Sequence, residues 1–494
     1  MKQTINFNKF LLLGVTMTML IAMPSCKKSF LDVPPQGQQP SEQFWKNEAD
    51  ATKAVSAMYA NLREWKQVAF APIAIESVGS DDTEKGSDPS DAAYFNKFDN
   101  FTATSTEGQI LDFWTGQYQE INLSNQVLDH VPSIDMDATL KARYLAEAKF
   151  LRAYAYFRLV RAFGDVPLRL HVPKDASEYN IPRTPKAEVY AAIEQDLTDA
   201  AAVLPATYPA KYIGHATKGA ALALHAKVAM YQKKWADVLN YTNQVISSGV
   251  YSLFSNYEQL FRIANENSRE SVFEIQAKYV PGNCNQSNSQ YSQVQGVRSV
   301  NRGGWGFNIP TTDLANSYEA NDPRKDATII FRGETTPEGD IIPSTVPNPM
   351  YNQKSYVPFT DATNQNCNEG SEQNIRVIRY ADVLLMNAEA ANETGNQTLA
   401  KQSLNAVRAR ARGGNNAILP DITTNDQATL RTTIWEERHH ELGMEFDRYF
   451  DVIRQGRAQQ IFGPKGWTEK YSVWPIPQNE IDLSAGTLTQ NPGF

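Results

Sequence analysis

The chain has 494 residues and a formal net charge of −8, so it lacks the concentrated basic surface that nucleic-acid binding requires. Charged residues make up 21% and aromatic residues 11% of it, which is typical of folded globular proteins and excludes a largely disordered chain. A chain of this length is long enough for a large core and for about two to four domains.

Residues 1–25 have the pattern of a signal peptide. Lys2 and Lys9 precede an apolar run, residues 10–21, that is too short to span a bilayer comfortably. Cys26 directly follows a small residue, so its thiol is the predicted lipidation site, where acyl chains such as palmitate would give a lasting membrane anchor. Simple secretion with cleavage nearby is the alternative. Residues 26–40, rich in proline and glutamine, are the predicted lipidated tether.

Residues 41–251 are predicted to form a helical-repeat scaffold. Apolar residues recur every three or four positions through 140–163, the clearest helix, and Gly164 ends it. The other predicted helices are 41–62 (capped by Ser41), 111–131, 185–204, 217–231 and 235–246. The last two are joined by a short turn and are rich in alanine, as in tetratricopeptide-like hairpins. A similar pair, 383–394 and 398–412, lies in the C-terminal helical part, 376–494.

Two irregular stretches interrupt the helices. Residues 71–108 are rich in Asp, Ser and Thr, and residues 252–375 are rich in Asn, Gln, Ser, Gly and Pro, with strands predicted at 271–275 and 328–331. Loops on a rigid scaffold commonly carry binding residues. The predicted fold class is therefore mainly α: a tetratricopeptide-like helical-repeat scaffold with an irregular loop and short-strand subdomain that binds the ligand.

A ligand-binding surface commonly combines aromatic faces with a few polar groups. Trp305 lies between glycines that permit its ring to be presented, although packing into the core is the competing interpretation. If the two irregular stretches converge, they are predicted to form an aromatic platform edged by two carboxylates. The predicted ligand-binding residues are Trp305, Tyr279, Tyr291, Tyr94, Phe95, Asp81 and Asp82. Trp114, with Tyr118 and Ile121 at helical spacing, is predicted to be core.

No catalytic, metal or cofactor site is predicted. The sequence at His440 begins like H-E-x-x-H, but Met444 stands in place of the second histidine. Asp81 and Asp82 are adjacent, which does not suit the spaced carboxylates of a glycosidase, and a solvated loop is the plainer interpretation. Calcium at Asp81, Asp82 and Glu84 has no EF-hand spacing in its favour. The charges at 436–451 are predicted to pair along and between helices.

Cys284 and Cys367 both lie in the second irregular stretch of a chain that is predicted to be exported. They are disulfide candidates, with two free thiols as the alternative.

A series of landmarks, in order from the anchor to the last residue, resembles the SusD/RagB family of outer-membrane nutrient-binding lipoproteins of Bacteroidetes. They are Cys26 followed by Phe30-Leu31-Asp32 and Pro34; residues 148–154 (AKFLRAY) with 163–167 (FGDVP); residues 379–390 (RYADVLLMNAEA); residues 405–411 (NAVRARA); Glu437-Arg438 and Glu441-Leu442 with 448–451 (RYFD); residues 475–477 (PIP); and the closing 490–494 (QNPGF).

The resemblance implies four helical-repeat pairs and non-catalytic binding of a nutrient, above all an oligosaccharide. It also implies a partner, a TonB-dependent barrel of the SusC/RagA type, over which the lipoprotein closes at the outer membrane and faces the cell exterior. The alternatives are a peptide-binding member of the same family, a surface glycoside hydrolase and a pure interaction scaffold.

Overall fold

The computed structural model describes residues 44–280, 288–300, 304–359 and 370–494. The predicted signal peptide, Cys26 and the tether lie outside the described residues, as do Cys284 and Cys367, so lipidation and the disulfide stay predictions. Within the described ranges, no helix combines the length and apolar character needed to cross a membrane.

The longer helices are numbered α1 to α9 along the chain. They are α1 (Glu48–Asn61), α2 (Gly108–His130), α3 (Ala138–Phe163), α4 (Lys186–Val203), α5 (Lys218–Tyr231), α6 (Trp235–Ser247), α7 (Tyr380–Glu393), α8 (Gln397–Ala411) and α9 (Gln427–Leu442). Shorter helices cover Trp65–Val68, Phe70–Pro72, Asn96–Asp99, Tyr291–Gln295, Thr312–Ser317, Arg324–Thr328, Arg448–Arg454, Ala458–Phe462 and Gln478–Leu483.

Eight of the longer helices form four successive pairs. α1 packs on α2, α3 on α4, α5 on α6 and α7 on α8, and neighbouring pairs meet through α2–α3, α4–α5 and α6–α7. Ala220, Ala223 and Ala226 on α5 are fully buried, because small side chains let the neighbouring helices approach closely. The predicted tetratricopeptide-like scaffold is confirmed.

Capping residues set several helix ends. The Asp137 carboxylate accepts a hydrogen bond from the Leu140 N–H at the start of α3, and Gly164, with φ of +72°, follows its end. α1 begins at Glu48 after an Asn47 cap, whereas the sequence predicted a start at Ser41. The predicted start was wrong because the Asn47 side chain accepts a hydrogen bond from the Asp50 N–H. This hydrogen bond satisfies a backbone donor at the N-terminus of the helix, so the helix begins at Glu48.

The described strands form three two-stranded antiparallel sheets. The strands are β1 (Thr83–Gly86), β2 (Ser271–Ile275), β3 (Phe307–Pro310), β4 (Ile329–Phe331), β5 (Met350–Asn352) and β6 (Ile375–Arg379). β1 pairs with β3, β2 with β6 and β4 with β5. The predicted strand at 271–275 is confirmed with its bounds, and the second one begins at Ile329. The β2–β6 pair crosses the predicted boundary at 375/376.

Charged side chains join α9 to the irregular part of the chain. We define the ionic core as the buried arginines and carboxylates that meet around α9: Arg324, Arg379, Arg410, Glu270, Asp322, Glu437 and Glu441. Glu441 lies 3.0 Å from Arg379 and 2.5 Å from Arg410, and its side chain is fully buried. The prediction that the charges at 436–451 have a structural role, pairing between elements, is confirmed.

Candidate functional site

The pairing of β1 with β3 brings the two irregular stretches together. Glu84 lies opposite Ile309, and Gly86 lies opposite Phe307. A Cβ on Gly86, whose φ is +71°, would lie 2.3 Å from the Gly306 carbonyl oxygen, so only glycine permits this approach. The pair therefore holds the segment that follows Gly86 beside the segment that contains Trp305.

Four half-buried aromatic side chains lie at this junction, and we name them the aromatic platform: Trp65, Phe70, Tyr94 and Trp305. The centroid of the Trp305 ring lies 5.9 Å from the centroids of both the Trp65 and the Phe70 rings. The Trp65 and Phe70 centroids are 5.1 Å apart. Such distances fit tilted and edge-to-face ring packing. Because all four rings keep part of their surface exposed, the platform can accept an apolar ligand face.

Two fully packed phenylalanines support the platform from below. Phe307 lies 4.9 Å from Phe70, and Phe95 lies 5.1 Å from Phe70 and 5.2 Å from Tyr94. Phe95 is 0% exposed and Phe307 is 2% exposed. Their burial fixes the height and orientation of the rings above them.

The backbone around Trp305 is held by hydrogen bonds and glycines. The Trp305 N–H donates to the Gln293 carbonyl at 2.8 Å, and the Gly306 N–H donates to the Gly296 carbonyl at 2.9 Å. A Cβ on Gly304 would lie 2.2 Å from the Gly296 carbonyl carbon. The glycines beside Trp305 thus allow two backbone segments to approach, which leaves the ring at the surface.

Polar groups surround the platform on two sides. Arg298 lies 2.6 Å from Asp88 and 3.0 Å from Asp91, and its guanidinium also donates to the Trp305 carbonyl at 3.1 Å. Asp88 and Asp91 are 47% and 40% exposed at their side chains, so they remain open to solvent. This side offers planar, charged hydrogen-bonding groups next to aromatic faces.

On the other side, Lys66 connects the platform to α2. Its ammonium lies 3.2 Å from Asp112 and donates to the Thr115 hydroxyl at 3.0 Å. Burial, followed by the charges of Asp91 and Asp112, raises the pKa of Tyr94. The Tyr94 hydroxyl therefore stays protonated at neutral pH and can donate a hydrogen bond.

The structure places two of the predicted ligand-binding residues, Trp305 and Tyr94, in the platform. Phe95 is a correction: its ring is fully buried under Phe70 and Tyr94, so it supports the surface and is not presented to a ligand. No sequence pattern predicted a binding role for Trp65, Phe70 or Arg298. Trp65 could have been noticed as an aromatic residue just beyond the first helical stripe, but its proximity to Trp305 has no local signal.

Asp81 and Asp82 do not edge the platform, and this is a second correction. Arg448 donates to both Asp81 oxygens, at 2.8 and 2.6 Å, and His439 Nε2 lies 2.5 Å from Asp82. Burial alone would raise the pKa of Asp81, but the hydrogen bonds and charge of Arg448 lower it to about 2. Neither carboxylate is therefore a solvated loop group, and both tie the start of β1 to α9 and the helix after it.

The same ion pairs decide against a calcium site with Glu84. Within the described residues, two groups of side chains lie close enough to share a metal ion, and both contain His439: one with Asp81 and Asp82, the other with Glu436 and His440. Arg448 lies 2.6 Å from Asp81 and 3.9 Å from Asp82, so a guanidinium already occupies the position of a cation. Glu84 is exposed and is not part of either group.

Tyr279 and Tyr291 are not part of the aromatic platform. The Tyr279 N–H donates to Glu372 at 3.2 Å, beyond the end of β2. Tyr291 is 7% exposed, and its ring lies 6.1 Å from Phe446. Their predicted place in the platform is corrected. The short helix of Tyr291 reaches Trp305 through the Gln293 carbonyl, but the Tyr291 ring is buried beside Phe446, and no platform ring is among the described contacts of Tyr279.

Tyr291 lines a cavity of about 80 Å³ between the β2–β6 sheet, α3 and α5, and its wall holds both apolar and charged side chains. The charges along its wall are paired: Arg158 lies 2.7 Å from Glu76, and Lys227 lies 2.5 Å from Asp447. A ligand there would have to break buried ion pairs. The aromatic platform is therefore the better candidate for the functional site.

Trp114, 2% exposed, packs against Phe163, which confirms its predicted role in the core.

Comparison with known proteins gives matches over most of the chain. A family model described as the SusD family matches residues 258–494, and one described as "starch-binding associating with outer membrane" matches residues 29–230. SusD-like protein P2 of Formosa agariphila is 27% identical over 505 residues, which cover 96% of this chain and 98% of that protein.

A solved structure described as a laminarin binding SusD-like protein is 30% identical, with a TM-score of 0.79 over 91% of this chain and 100% of its own. The starch-binding protein SusD of Bacteroides thetaiotaomicron is 31% identical over 163 residues, 32% of this chain and 28% of that protein.

Proposed function

The chain belongs to the SusD family, and from this premise we propose that it captures an oligosaccharide on its aromatic platform and delivers it to an outer-membrane transporter. Its family and its structural neighbours are carbohydrate-binding proteins, so the chain is a glycan-binding protein and not an enzyme. The observation that carries the assignment of the site is the group of four half-buried rings beside the exposed Arg298–Asp88–Asp91 cluster.

The platform has the two chemical features that a pyranose requires. The C–H face of a sugar ring packs on aromatic faces, and the Trp65 and Trp305 rings, tilted 50° to each other, offer two such faces. The sugar hydroxyls need donors and acceptors in fixed positions, which Arg298, Asp88 and Asp91 supply. Since Arg298 holds both carboxylates, the cluster is suited to hydrogen bonding and not to general acid–base chemistry.

Laminarin is the first ligand to test, because the solved relative with 30% identity over its whole length is described as laminarin binding. Starch is the second, since the 31% match to the starch-binding protein covers a shorter part of this chain. We propose a glucan of one of these two kinds as the ligand.

The anchor and the partner complete the proposal. Association with the outer membrane agrees with the family description, and we propose that lipidated Cys26 provides it, with the protein facing the cell exterior. The proposed partner is a TonB-dependent barrel of the SusC/RagA type. Cys26→Ala should yield protein that fractionates away from membranes; membrane retention of the variant and no acyl group on the wild type would contradict the anchor. Co-purification of such a barrel with the tagged wild type tests the partner.

Calorimetry with laminarin and starch oligosaccharides tests the binding site. Trp305→Ala should weaken binding about tenfold, because a stacked ring contributes about 1 kcal/mol beyond its buried area. Trp235→Ala, which removes another half-buried tryptophan at the start of α6, is the matched control and should leave affinity unchanged. Equal affinities for the Trp305→Ala variant and the wild type would move the site elsewhere. Binding of peptides in place of both glucans would identify a peptide-binding member of the family.

A further inference from the structure

A surface groove adjoins the platform along α2. Three separate segments form its walls: α2, the loop between α3 and α4, and the helix Gln478–Leu483 with the residues after it. The groove has a volume of about 360 Å³. Its lining includes Thr115, Tyr118, Asn122, Tyr179, Asn180 and Leu483.

The groove combines exposed apolar side chains with free amides. Tyr179 is 59% exposed and Leu483 is 68% exposed, although both line a concave surface. Within the described ranges, the Asn122 and Asn180 side chains have no hydrogen-bond partner, and both are exposed. Apolar surface next to unpartnered amides is the chemistry that the faces and hydroxyls of a sugar ring require.

The groove is also held in shape. The Arg169 guanidinium donates to the Glu178 carbonyl at 2.6 Å and to the Tyr179 carbonyl, which fixes the backbone that presents the Tyr179 ring. The Tyr118 hydroxyl donates to the Pro167 carbonyl at 2.8 Å and joins α2 to the same loop. The opposing walls are therefore set before any ligand arrives, which lowers the entropy cost of binding.

Lys66 links the platform to the groove. Lys66 follows Trp65 of the platform directly, and its ammonium donates to Thr115, which lines the groove. The Lys66 backbone lies against α2 as well: a Cβ on Gly116 would lie 3.0 Å from the Lys66 Cβ. Lys66 is therefore a contact shared by the platform and the groove.

We propose that this groove binds further sugar units of the same glycan chain that the platform holds. The proposal rests on the proposed function, because the platform defines where the chain begins. It assigns the protein a preference for long glucan chains over short ones, with the second contact made by Tyr179, Leu483 and the two asparagines. The groove supplies no contact to an oligosaccharide short enough to end on the platform.

The test compares a short and a long ligand of the same glucan, using whichever of laminarin or starch the wild type binds. A trisaccharide reports on the platform, and the polysaccharide reports on both surfaces. Tyr179→Ala and Leu483→Ala should each weaken polysaccharide binding about three- to tenfold and leave trisaccharide binding unchanged. Leu170→Ala, which removes a 42% exposed side chain from the same loop but not from the groove, is the control and should change neither affinity.

The outcomes separate this inference from the function on which it depends. If Trp305→Ala weakens both ligands while Tyr179→Ala and Leu483→Ala weaken neither, the groove is not a sugar site and the platform stands. If the groove variants weaken the trisaccharide as much as the polysaccharide, the groove is no extension and the inference fails. If the wild type binds neither glucan, or Trp305→Ala changes nothing, the proposed function fails and this inference with it. Melting curves of the groove variants exclude loss of the fold, which two exposed side chains should not affect.

Discussion

The aromatic platform and the ionic core use opposite chemistry in one chain. The platform presents neutral rings that are half-buried, and the ionic core buries charged side chains almost completely, as with Arg324 and Asp322 at 0% side-chain exposure. Burying charges carries a large desolvation cost, so such pairs orient the elements that they join more than they add net stability. The chain therefore uses fixed charge to position its irregular part, and aromatic surface to meet a ligand.

This division predicts that substitutions in the two regions affect different quantities. A change in the ionic core should alter the free energy of unfolding and leave the affinity of the folded protein unchanged. A change in the platform should act chiefly on affinity, because its half-buried rings have less packing to lose than fully buried side chains.

The largest effect is expected for Glu441→Gln. Glu441 is fully buried between Arg379, Arg410 and Arg324, at 3.0, 2.5 and 3.3 Å. Arg324, Arg379 and Arg410 keep their other carboxylate partners, but removal of the Glu441 charge leaves the buried cluster with one negative charge fewer. This excess of buried positive charge should lower the free energy of unfolding by about 3–5 kcal/mol. Chemical denaturation measures this change.

Glu319→Gln is the matched control, because Glu319 pairs with Arg408 but is 42% exposed at its side chain. It should cost less than about 1 kcal/mol. Equal effects of the two variants would show that burial does not distinguish the ionic core from a surface pair.

A pH effect of intermediate size is expected from His439, at the edge of the ionic core. Burial and the nearby Arg448 lower its pKa, but the Asp82 carboxylate and Glu436 outweigh them and raise it from 6.5 to about 9. The folded state thus binds a proton that the unfolded state releases near pH 6.5. The stabilisation is fully present below about pH 6.5 and is lost as the pH rises through about 9, a change on the order of 3 kcal/mol.

The measurement is the difference in unfolding free energy between the wild type and His439→Gln at pH 6 and at pH 9.5. Other ionisable groups titrate in both proteins, so their contributions cancel to first order; the groups that face His439 are Asp82, Glu436, Arg448 and His440. The difference should shrink towards high pH. A difference that is constant with pH would mean that His439 is not charged in the folded protein.

The helical scaffold could be predicted from the sequence because its signals are local. The apolar period through 140–163 and the glycine at 164 predicted α3 to within two residues at its start, and the β-like run 271–275 is β2. The start of α1 was wrong because the capping residue is Asn47, and a cap depends on a single local hydrogen bond that the apolar pattern does not locate.

The candidate site could be predicted only in part because its contacts are distant along the chain. Trp305 and Tyr94 were found from composition and glycine spacing, both of which are local. The partners of Asp81 and Asp82 are 367 and 357 residues away, so nothing near the pair indicated burial beside Arg448 and His439. Trp65 was missed for the same reason, since the four-residue pairing of β1 with β3 has no sequence signal of its own.

A smaller effect, on affinity, is expected for Trp65→Ala in the platform. The variant should lose about tenfold in glucan affinity. Its loss of unfolding free energy should stay below the roughly 3–5 kcal/mol expected for a fully buried tryptophan, because Trp65 is only half-buried. Since Trp65 and Trp305 lie 5.9 Å apart, the double variant should lose less than the product of the single losses. Strictly multiplicative losses in calorimetry would show that the two rings bind different parts of the ligand independently.

The smallest effect is expected for Asp88→Asn at the edge of the platform. Asp322→Asn makes the same chemical change at a buried carboxylate and serves as the comparison. Asp88 is 47% exposed and Arg298 is 26% exposed, so water screens their pair, and Arg298 keeps Asp91 at 3.0 Å when Asp88 loses its charge. Asp88→Asn should therefore cost less than about 1 kcal/mol of stability and change glucan affinity by no more than about threefold, because asparagine still accepts a hydrogen bond from a hydroxyl. Asp322 has no exposed side-chain surface and lies 2.8 Å from Arg324, so Asp322→Asn should destabilise the fold several times more. Denaturation and calorimetry on the two variants measure both quantities, and a larger stability loss at Asp88 than at Asp322 would reverse the assignment of fixed charge to the core and recognition to the surface.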